Sequence, residues 1–121
     1  MKELEQRILK DGEFLGNDIL KVSSFLNQQV DTDLLVKMAK EVKRLFPEEV
    51  TKVLTIEASG IPFACMVAFE LGVPFVFAKK SKTSNVSGEL ATALVHSFTH
   101  NKDNLISVPC QYIKKTDKVL I

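Results

Sequence analysis

The stretch that decides the fold of this 121-residue chain is Val50-Thr51-Lys52-Val53-Leu54-Thr55-Ile56-Glu57-Ala58-Ser59-Gly60. The β-branched run over residues 50–56 predicts a strand, and the small residues after it predict a tight turn. An apolar helix over residues 61–71 follows, with Pro62 suited to its first turn and Gly72 to its end. The stretch therefore predicts a strand, a turn and a helix in direct succession.

The elements on either side of this stretch extend it into an α/β fold. An apolar run at residues 73–78 predicts a second strand, and because such crossovers join parallel strands we expect a parallel sheet. Upstream, apolar residues recur at threes and fours from Asp31 to Phe46, which predicts an amphipathic helix. Asp31 or Thr32 is the expected cap, and Pro47 is expected to end the helix.

The two ends of the chain are less regular. Leu4, Ile8 and Leu9 share one face of a predicted amino-terminal helix that stops at Asp11-Gly12, and an irregular segment with extended pieces follows over residues 14–30. Downstream the pattern predicts a long polar loop, a strand, a polar turn and two further strands. These segments are residues 79–88, 91–98, 99–104, 105–108 and 118–121.

Composition excludes several classes of function. The net charge is +1, and lysines and acids are interspersed, which argues against a nucleic-acid partner. Cys65 and Cys110 lie far apart and lack metal-ligand spacing, so we interpret both as reduced packing residues. The amino terminus does not have the pattern of a targeting peptide, and no apolar run approaches the roughly 20 residues that span a bilayer. We expect one cytosolic domain with no membrane partner.

Residues 57–60 are the first candidate for chemistry, because ligands of parallel sheets gather at the carboxyl ends of the strands. Small residues there allow a phosphate to approach backbone N–H groups, and Ser59 can add a hydroxyl. The alternative is an ordinary tight turn with Ser59 as helix cap. Lys79, Lys80 and Lys82 follow the neighbouring strand and could bind diphosphate, or they could belong to an ordinary solvated loop.

His96 and His100 could serve as acid or base, but neither has a catalytic partner near it in sequence. His96 falls within an alternating strand pattern and His100 within a turn. The structural interpretation is therefore favoured for both.

Several stretches, taken together, are collinear with one enzyme family over the whole chain. They are residues 19–31 (Ile-Leu-Lys-Val-Ser-Ser-Phe-Leu-Asn-Gln-Gln-Val-Asp), residues 51–61, Phe77-Ala78-Lys79-Lys80, and Thr92, Ala93, Val95, Ser97, Phe98 and Thr99. In these stretches the chain resembles the amino-terminal part of bacterial xanthine phosphoribosyltransferases. The resemblance implies the type I phosphoribosyltransferase fold, a parallel sheet flanked by helices with a small amino-terminal hood. It divides the single domain into the hood with the first helix (residues 1–31) and the first part of the core (residues 32–121).

The resemblance also implies an activity, which is transfer of the 5-phosphoribosyl group from phosphoribosyl pyrophosphate (PRPP) to xanthine, giving XMP and pyrophosphate. Leu20 and Asn27 would lie over the purine base. Residues 57–60 (Glu57, Ala58, Ser59 and Gly60) would contact the pyrophosphate part of PRPP, together with Lys79 and Lys80. Mg²⁺ would arrive bound to the PRPP diphosphate, with no protein side chain as ligand, and the full-length enzyme would be a homodimer.

The chain departs from the family pattern in two places. The family usually has Ala-Pro-Ala where this chain has Pro62-Phe63-Ala64, and residues 81–87 differ from the usual loop. Residues 118–121 resemble the start of the strand that delivers the acidic PRPP-binding motif. We therefore expect a fold incomplete at its carboxyl end, with the catalytic residues outside it and no activity of its own.

Two alternatives to the enzyme remain open. A PRPP- or purine-sensing domain of a transcription factor would have a related fold, but this chain has no winged-helix segment before its hood. A non-functional truncated remnant is the other alternative. The choice among xanthine, guanine and hypoxanthine as base is also open.

Overall fold

The structure is a computed structural model that describes residues 1–16, 19–46, 48–80, 88–97 and 102–121. Its helices are α1 (Lys2–Asp11), α2 (Thr32–Leu45) and α3 (Ile61–Leu71), with a π-helical turn at Ser23–Asn27 and a 3-10 turn at Cys110–Tyr112. Its strands are β1 (Glu13–Leu15), β2 (Ile19–Lys21), β3 (Lys52–Ile56), β4 (Phe75–Ala78), β5 (Leu90–Ser97), β6 (Lys102–Pro109) and β7 (Val119–Leu120).

The central sheet has the order β4-β3-β7, and both of its pairings are parallel. Val53 faces Phe75 on one side, and Lys52 faces Val119 on the other. Helix α3 makes the crossover from β3 to β4, so the predicted βαβ unit and parallel sheet are confirmed. The carboxyl ends of β3 and β4 lie side by side.

Local sequence explains the bounds of both core helices. Asp31 caps α2, because its carboxylate accepts a hydrogen bond from the Leu34 N–H at 3.0 Å. Pro62 lies in the first turn of α3, and Gly72 ends that helix at φ 72°, in the left-handed region that favours glycine.

The buried core joins α2, α3 and β3. Its fully packed members are Ala39, Val53, Ala64, Val67 and Ala68. Three of these five are alanines, whose small side chains let the two helices and the strand approach closely. The strand that leads into residues 57–60 is therefore packed against α3, which in turn packs against α2.

Two antiparallel hairpins flank the core. Strands β1 and β2 form a three-residue pairing, and β5 and β6 pair over eight residues. The second hairpin attaches to the end of β4, where Lys79 and Ser107 exchange two backbone hydrogen bonds of 2.9 Å.

Three details of the sequence prediction are wrong. Leu9 is 84% exposed and does not share the partly buried face of α1 that carries Leu4 and Ile8. Cys65 is exposed on α3 and is not a packing residue, although both cysteines are free. Residues 102–104, predicted as a turn, belong to β6, since the pairing with β5 continues to Ser97 opposite Lys102.

Some predictions fall outside the described residues. They concern Pro47, most of the predicted loop at residues 79–88, and residues 98–101. Lys82 and His100 are therefore not described either. Within the described part of the chain, no helix combines the length and the apolar character needed to cross a bilayer.

Candidate functional site

The turn at residues 57–60 lies at the carboxyl end of β3 and leads into α3. Ile56 is paired with Ala78, and the Glu57 N–H donates to the Ala78 carbonyl at 3.0 Å. The turn therefore lies beside Lys79 and Lys80, which follow β4 directly. The structure brings together all six residues that the sequence assigned to pyrophosphate.

The Glu57 carboxylate is used within the turn. Its Oε1 accepts a hydrogen bond from the Lys80 backbone N–H at 2.6 Å. The peptide bond between Glu57 and Ala58 is cis. Ala58 and Ser59 are exposed, and the Ala58 carbonyl accepts from the Ile61 N–H at 3.1 Å. The outer side of the turn is thus open to solvent while Glu57 ties it to the end of β4.

Position 60 has no room for a side chain. Its φ of −74° and ψ of −17° suit any residue, but an added Cβ would lie 2.4 Å from Thr55 Oγ1. Gly60 is also the N-cap of α3, with no side-chain capping hydrogen bond. The alternative that Ser59 caps this helix is therefore wrong.

Lys79 and Lys80 differ in how they are held. The Lys79 backbone is bonded in both directions to the buried Ser107, and the Lys80 N–H is bonded to Glu57. Lys80 is exposed and Lys79 half-buried. Among the described residues, no carboxylate lies within ion-pair distance of either amine, so both positive charges are available to an anion.

Leu20 and Asn27 lie in the amino-terminal segment. Leu20 is exposed in β2 opposite Phe14, and Asn27 is exposed at the end of the π-helical turn. Within the described ranges, no hydrogen bond or ion pair joins either residue to the turn at 57–60. The structure therefore places the two predicted base contacts on a part of the chain separate from the predicted pyrophosphate contacts.

Arg7 forms a cluster with two aspartates and Phe25 that has little signal in the sequence pattern. The Arg7 guanidinium contacts Asp31 Oδ2 at 2.6 Å and Asp11 Oδ2 at 2.5 Å. It also lies 5.2 Å from the ring centre of Phe25, a side chain with 0% exposure. The Leu34 N–H and Arg7 together hold the pKa of Asp31 below its usual value. The i,i+4 spacing of Arg7 and Asp11 was the only part of this cluster visible in the sequence.

A second ion pair fixes β7 to β3. Lys52 Nζ lies 3.0 Å from Asp117 Oδ2, with the two side chains 12% and 13% exposed. Asp117 also accepts from the Lys114 N–H at 2.7 Å and from the Thr51 hydroxyl at 3.1 Å. The Lys114 N–H contributes most to holding the pKa of Asp117 below its usual value, followed by Lys52. This cluster, too, has partners far apart in sequence.

A cleft of about 600 Å³ with a largely apolar lining lies near β4 and β6. The apolar and aromatic residues of that lining are Pro74, Phe75, Val76, Phe77, Leu90, Pro109 and Tyr112. Lys52 and Lys79 also border it.

His96 does not join the candidate site. Its Nδ1 lies 2.9 Å from Asp103 Oδ1 across the β5–β6 hairpin, at an exposed position. The predicted strand position of His96 is confirmed, and the structural interpretation of its side chain stays a prediction. Among the described residues, no three His, Cys, Asp or Glu side chains are grouped so that they could hold a metal ion.

Proteins of known name match the whole chain. It is 51% identical over 122 residues to a protein named xanthine phosphoribosyltransferase in Brevibacillus brevis, and 51% and 49% identical to proteins of that name in Clostridium novyi and Lactobacillus gasseri. These matches take in 100% of this chain and 62%, 64% and 64% of the respective relatives. The chain thus spans less than two thirds of the length of the curated relatives it matches. No family profile matches the chain.

Solved structures agree on the fold. The APRTase of Giardia lamblia, complexed with 9-deazaadenine, superposes with a TM-score of 0.72 at 23% identity, over 93% of this chain and 62% of its own. The adenine phosphoribosyltransferase of Saccharomyces cerevisiae gives 0.69 at 20% identity, over 98% and 70%. That of Trypanosoma brucei, in complex with AMP, pyrophosphate and ribose-5-phosphate, gives 0.70 at 16% identity, over 96% and 52%. The parallel sheet flanked by helices is therefore the type I phosphoribosyltransferase fold that the resemblance implied.

Proposed function

We propose that the chain belongs to the type I phosphoribosyltransferase family and serves purine salvage by transferring the 5-phosphoribosyl group of PRPP to xanthine. The C–N bond to the base forms as the bond from the ribosyl carbon to pyrophosphate breaks and the attacking nitrogen of xanthine gives up its proton, so the products are XMP, pyrophosphate and a proton. Xanthine is favoured over other purines because the relatives at about half identity carry that name.

The observation that supports this proposal most strongly is the pairing of the turn at 57–60 with Lys79 and Lys80. Two parallel strands end side by side there, and the turn between β3 and α3 is exposed next to two lysines without ion-pair partners among the described residues. Exposed turns at such strand ends are where anionic ligands bind in parallel α/β sheets. Pyrophosphate has the size and charge that this arrangement would accept.

Glu57 takes a different part in this proposal from its neighbours. A carboxylate repels a diphosphate, and its Oε1 already accepts the Lys80 N–H at 2.6 Å. We therefore assign Glu57 to holding Lys80 beside the turn. The exposed residues Ala58 and Ser59, together with Gly60, would face the ligand.

Leu20 and Asn27 would bind the base. Xanthine has apolar ring faces that a leucine can cover and an edge of N–H and C=O groups that a carboxamide can match. Both side chains are exposed on the amino-terminal segment, which supports this part of the proposal. The hydrogen-bonding edge of Asn27 would give it the larger share of base selection.

Mg²⁺ fits this site only as a partner of the substrate. The one acid of the turn, Glu57, is engaged by Lys80, and the neighbouring side chains that carry charge are cationic lysines. Mg²⁺ prefers phosphate oxygens and water as ligands, so the PRPP diphosphate would bring it. There it would neutralise charge that develops on the departing pyrophosphate. The proposed family membership carries two further proposals, a homodimer and a cytoplasmic location.

The test is an assay of XMP formation from xanthine, PRPP and Mg²⁺. It is run on the 121-residue chain and on a chimera that adds the part of the Brevibacillus brevis relative left out of the match. XMP formation by either protein, with the Michaelis constant for PRPP raised at least about tenfold by Lys79→Ala with Lys80→Ala, supports the proposal. The control is Lys40→Ala, an exposed lysine on α2. A folded chimera that makes no XMP contradicts the proposal.

A further inference from the structure

Arg7 contacts three neighbours that lie on three different segments. Its Nη1 donates a hydrogen bond to Asp31 Oδ2 at 2.6 Å, and its guanidinium lies 5.2 Å from the centre of the Phe25 ring. Its Nε forms an ion pair with Asp11 Oδ2 at 2.5 Å but makes no hydrogen bond to any described residue. A planar guanidinium can bind two carboxylates and stack on an aromatic ring at the same time. One side chain of α1 thus joins the π-helical turn to the start of α2.

Two of these contacts bracket Asn27. Phe25 lies two residues before it and Asp31 four residues after it, and both touch the same guanidinium. The Asp31 N–H also donates to the Phe25 carbonyl at 2.9 Å, which closes the segment into a loop. Asn27 is exposed within that loop.

The rest of the loop has its own backbone hydrogen bonds. The N–H groups of Gln28 and Gln29 both donate to the Ser23 carbonyl, at 3.2 and 2.9 Å. These bonds set the shape of the turn but do not attach it to another part of the chain. Attachment comes from the burial of Phe25 and from Arg7, together with a long 3.4 Å hydrogen bond from the Ser24 hydroxyl to the Asp11 carbonyl.

We propose that Arg7 is a positioning residue for purine recognition, which acts by holding Phe25 and Asp31 so that the carboxamide of Asn27 is presented to the base. This inference rests on the proposed function, in which Asn27 binds xanthine. Arg7 does not touch the pyrophosphate turn at 57–60. Its loss should therefore weaken the use of xanthine and leave the use of PRPP unchanged.

The first experiment needs no activity. In the 121-residue chain, nuclear magnetic resonance follows the side-chain amide of Asn27 and the hydrogen exchange of its backbone amide in Arg7→Gln and Arg7→Lys. We expect both signals to change in Arg7→Gln. They should change less in Arg7→Lys, which keeps the positive charge but loses the planar guanidinium group. Arg44→Gln is the matched control, because Arg44 forms an exposed ion pair with Glu41 elsewhere on α2. An Asn27 resonance and exchange rate unchanged in a folded Arg7→Gln overturn the inference.

The second experiment measures XMP formation in the chimera described above. We expect the Michaelis constant for xanthine to rise about tenfold in Arg7→Gln, the effect of losing roughly one charge-assisted hydrogen bond, while that for PRPP stays within about twofold. A rise in both constants, or a fall in turnover number alone, would mean a merely structural role and overturn the inference. If Arg7→Gln does not fold, Arg7→Lys decides by the same two constants. A parent chimera that folds but makes no XMP overturns the proposed function and this inference together, whereas an unmoved Asn27 overturns only the inference.

Discussion

Replacing Gly60 by alanine should destabilise the protein because of one short contact. The backbone of Gly60 has φ −74° and ψ −17°, so alanine meets no dihedral penalty there. Its Cβ would lie 2.4 Å from Thr55 Oγ1, roughly 1 Å inside a relaxed van der Waals contact. Threonine is stiff at χ1, so either the turn or the end of β3 must move. Overpacking of this kind costs about 1–3 kcal/mol.

The assay is urea denaturation of the 121-residue chain followed by circular dichroism, in a cycle of Gly60→Ala with Thr55→Ala. Thr55→Ala removes the oxygen that the new methyl group meets, so the cost of Gly60→Ala should fall below about 0.5 kcal/mol in that background. Thr55→Val puts a methyl group in place of that oxygen on an equally stiff side chain, so in that control the full cost should remain. An equal loss in all backgrounds, or no loss from Gly60→Ala, would refute the claim that space explains this glycine.

Glu57 and Asp117 give two further predictions. Glu57→Gln keeps an acceptor for the Lys80 N–H, whereas Glu57→Ala removes it. Calorimetry should therefore find the affinity for pyrophosphate retained in Glu57→Gln and about tenfold lower in Glu57→Ala. Equal losses of affinity in the two variants would contradict this role of Glu57. Because the folded pKa of Asp117 is lowered, its stabilisation is present above the unfolded value of about 3.9 and is lost as pH falls through the folded value. In Asp117→Asn the free energy of unfolding should therefore fall less steeply as the pH is lowered, as measured by urea titration at several acidic pH values. The same pH dependence in Asp117→Asn and in the parent chain would show that Asp117 does not contribute.

The βαβ unit could be predicted from sequence because its signals are local. The β-branched run before Glu57, Pro62 in the first turn of α3 and Gly72 at its end each act through neighbouring residues, and the observed helix ends at Leu71 as the pattern indicated. The sequence also predicted that residues 57–60 and the lysines after β4 would lie together, because parallel strands end at one edge of a sheet.

The parts that were missed depend on contacts between distant residues. Arg7 and Asp31 are 24 residues apart, and Lys52 and Asp117 are 65 apart. Such pairs have no periodicity for a sequence pattern to reveal. The assignments of Leu20 and Asn27 came only from the family resemblance, since an exposed leucine and an exposed asparagine have no local signal of their own.

Cys65 shows a different kind of error. Helix α3 is apolar on nearly every face, a pattern typical of a buried helix. Its packing partners cover only Ala64, Val67 and Ala68 fully, and Phe69 remains 79% exposed. The apolar sequence around Cys65 favoured a packing role for it, whereas the observed contacts bury only one side of the helix.

The pyrophosphate site can be tested by titrating the isotope-labelled 121-residue chain with pyrophosphate and Mg²⁺ and following its backbone amide resonances. We expect saturable shifts confined to residues 57–60 and to Lys79 and Lys80, and their loss in the variant that combines Lys79→Ala with Lys80→Ala. Saturable shifts centred elsewhere, or none at millimolar pyrophosphate, would contradict the assignment of this turn and these lysines as a pyrophosphate site.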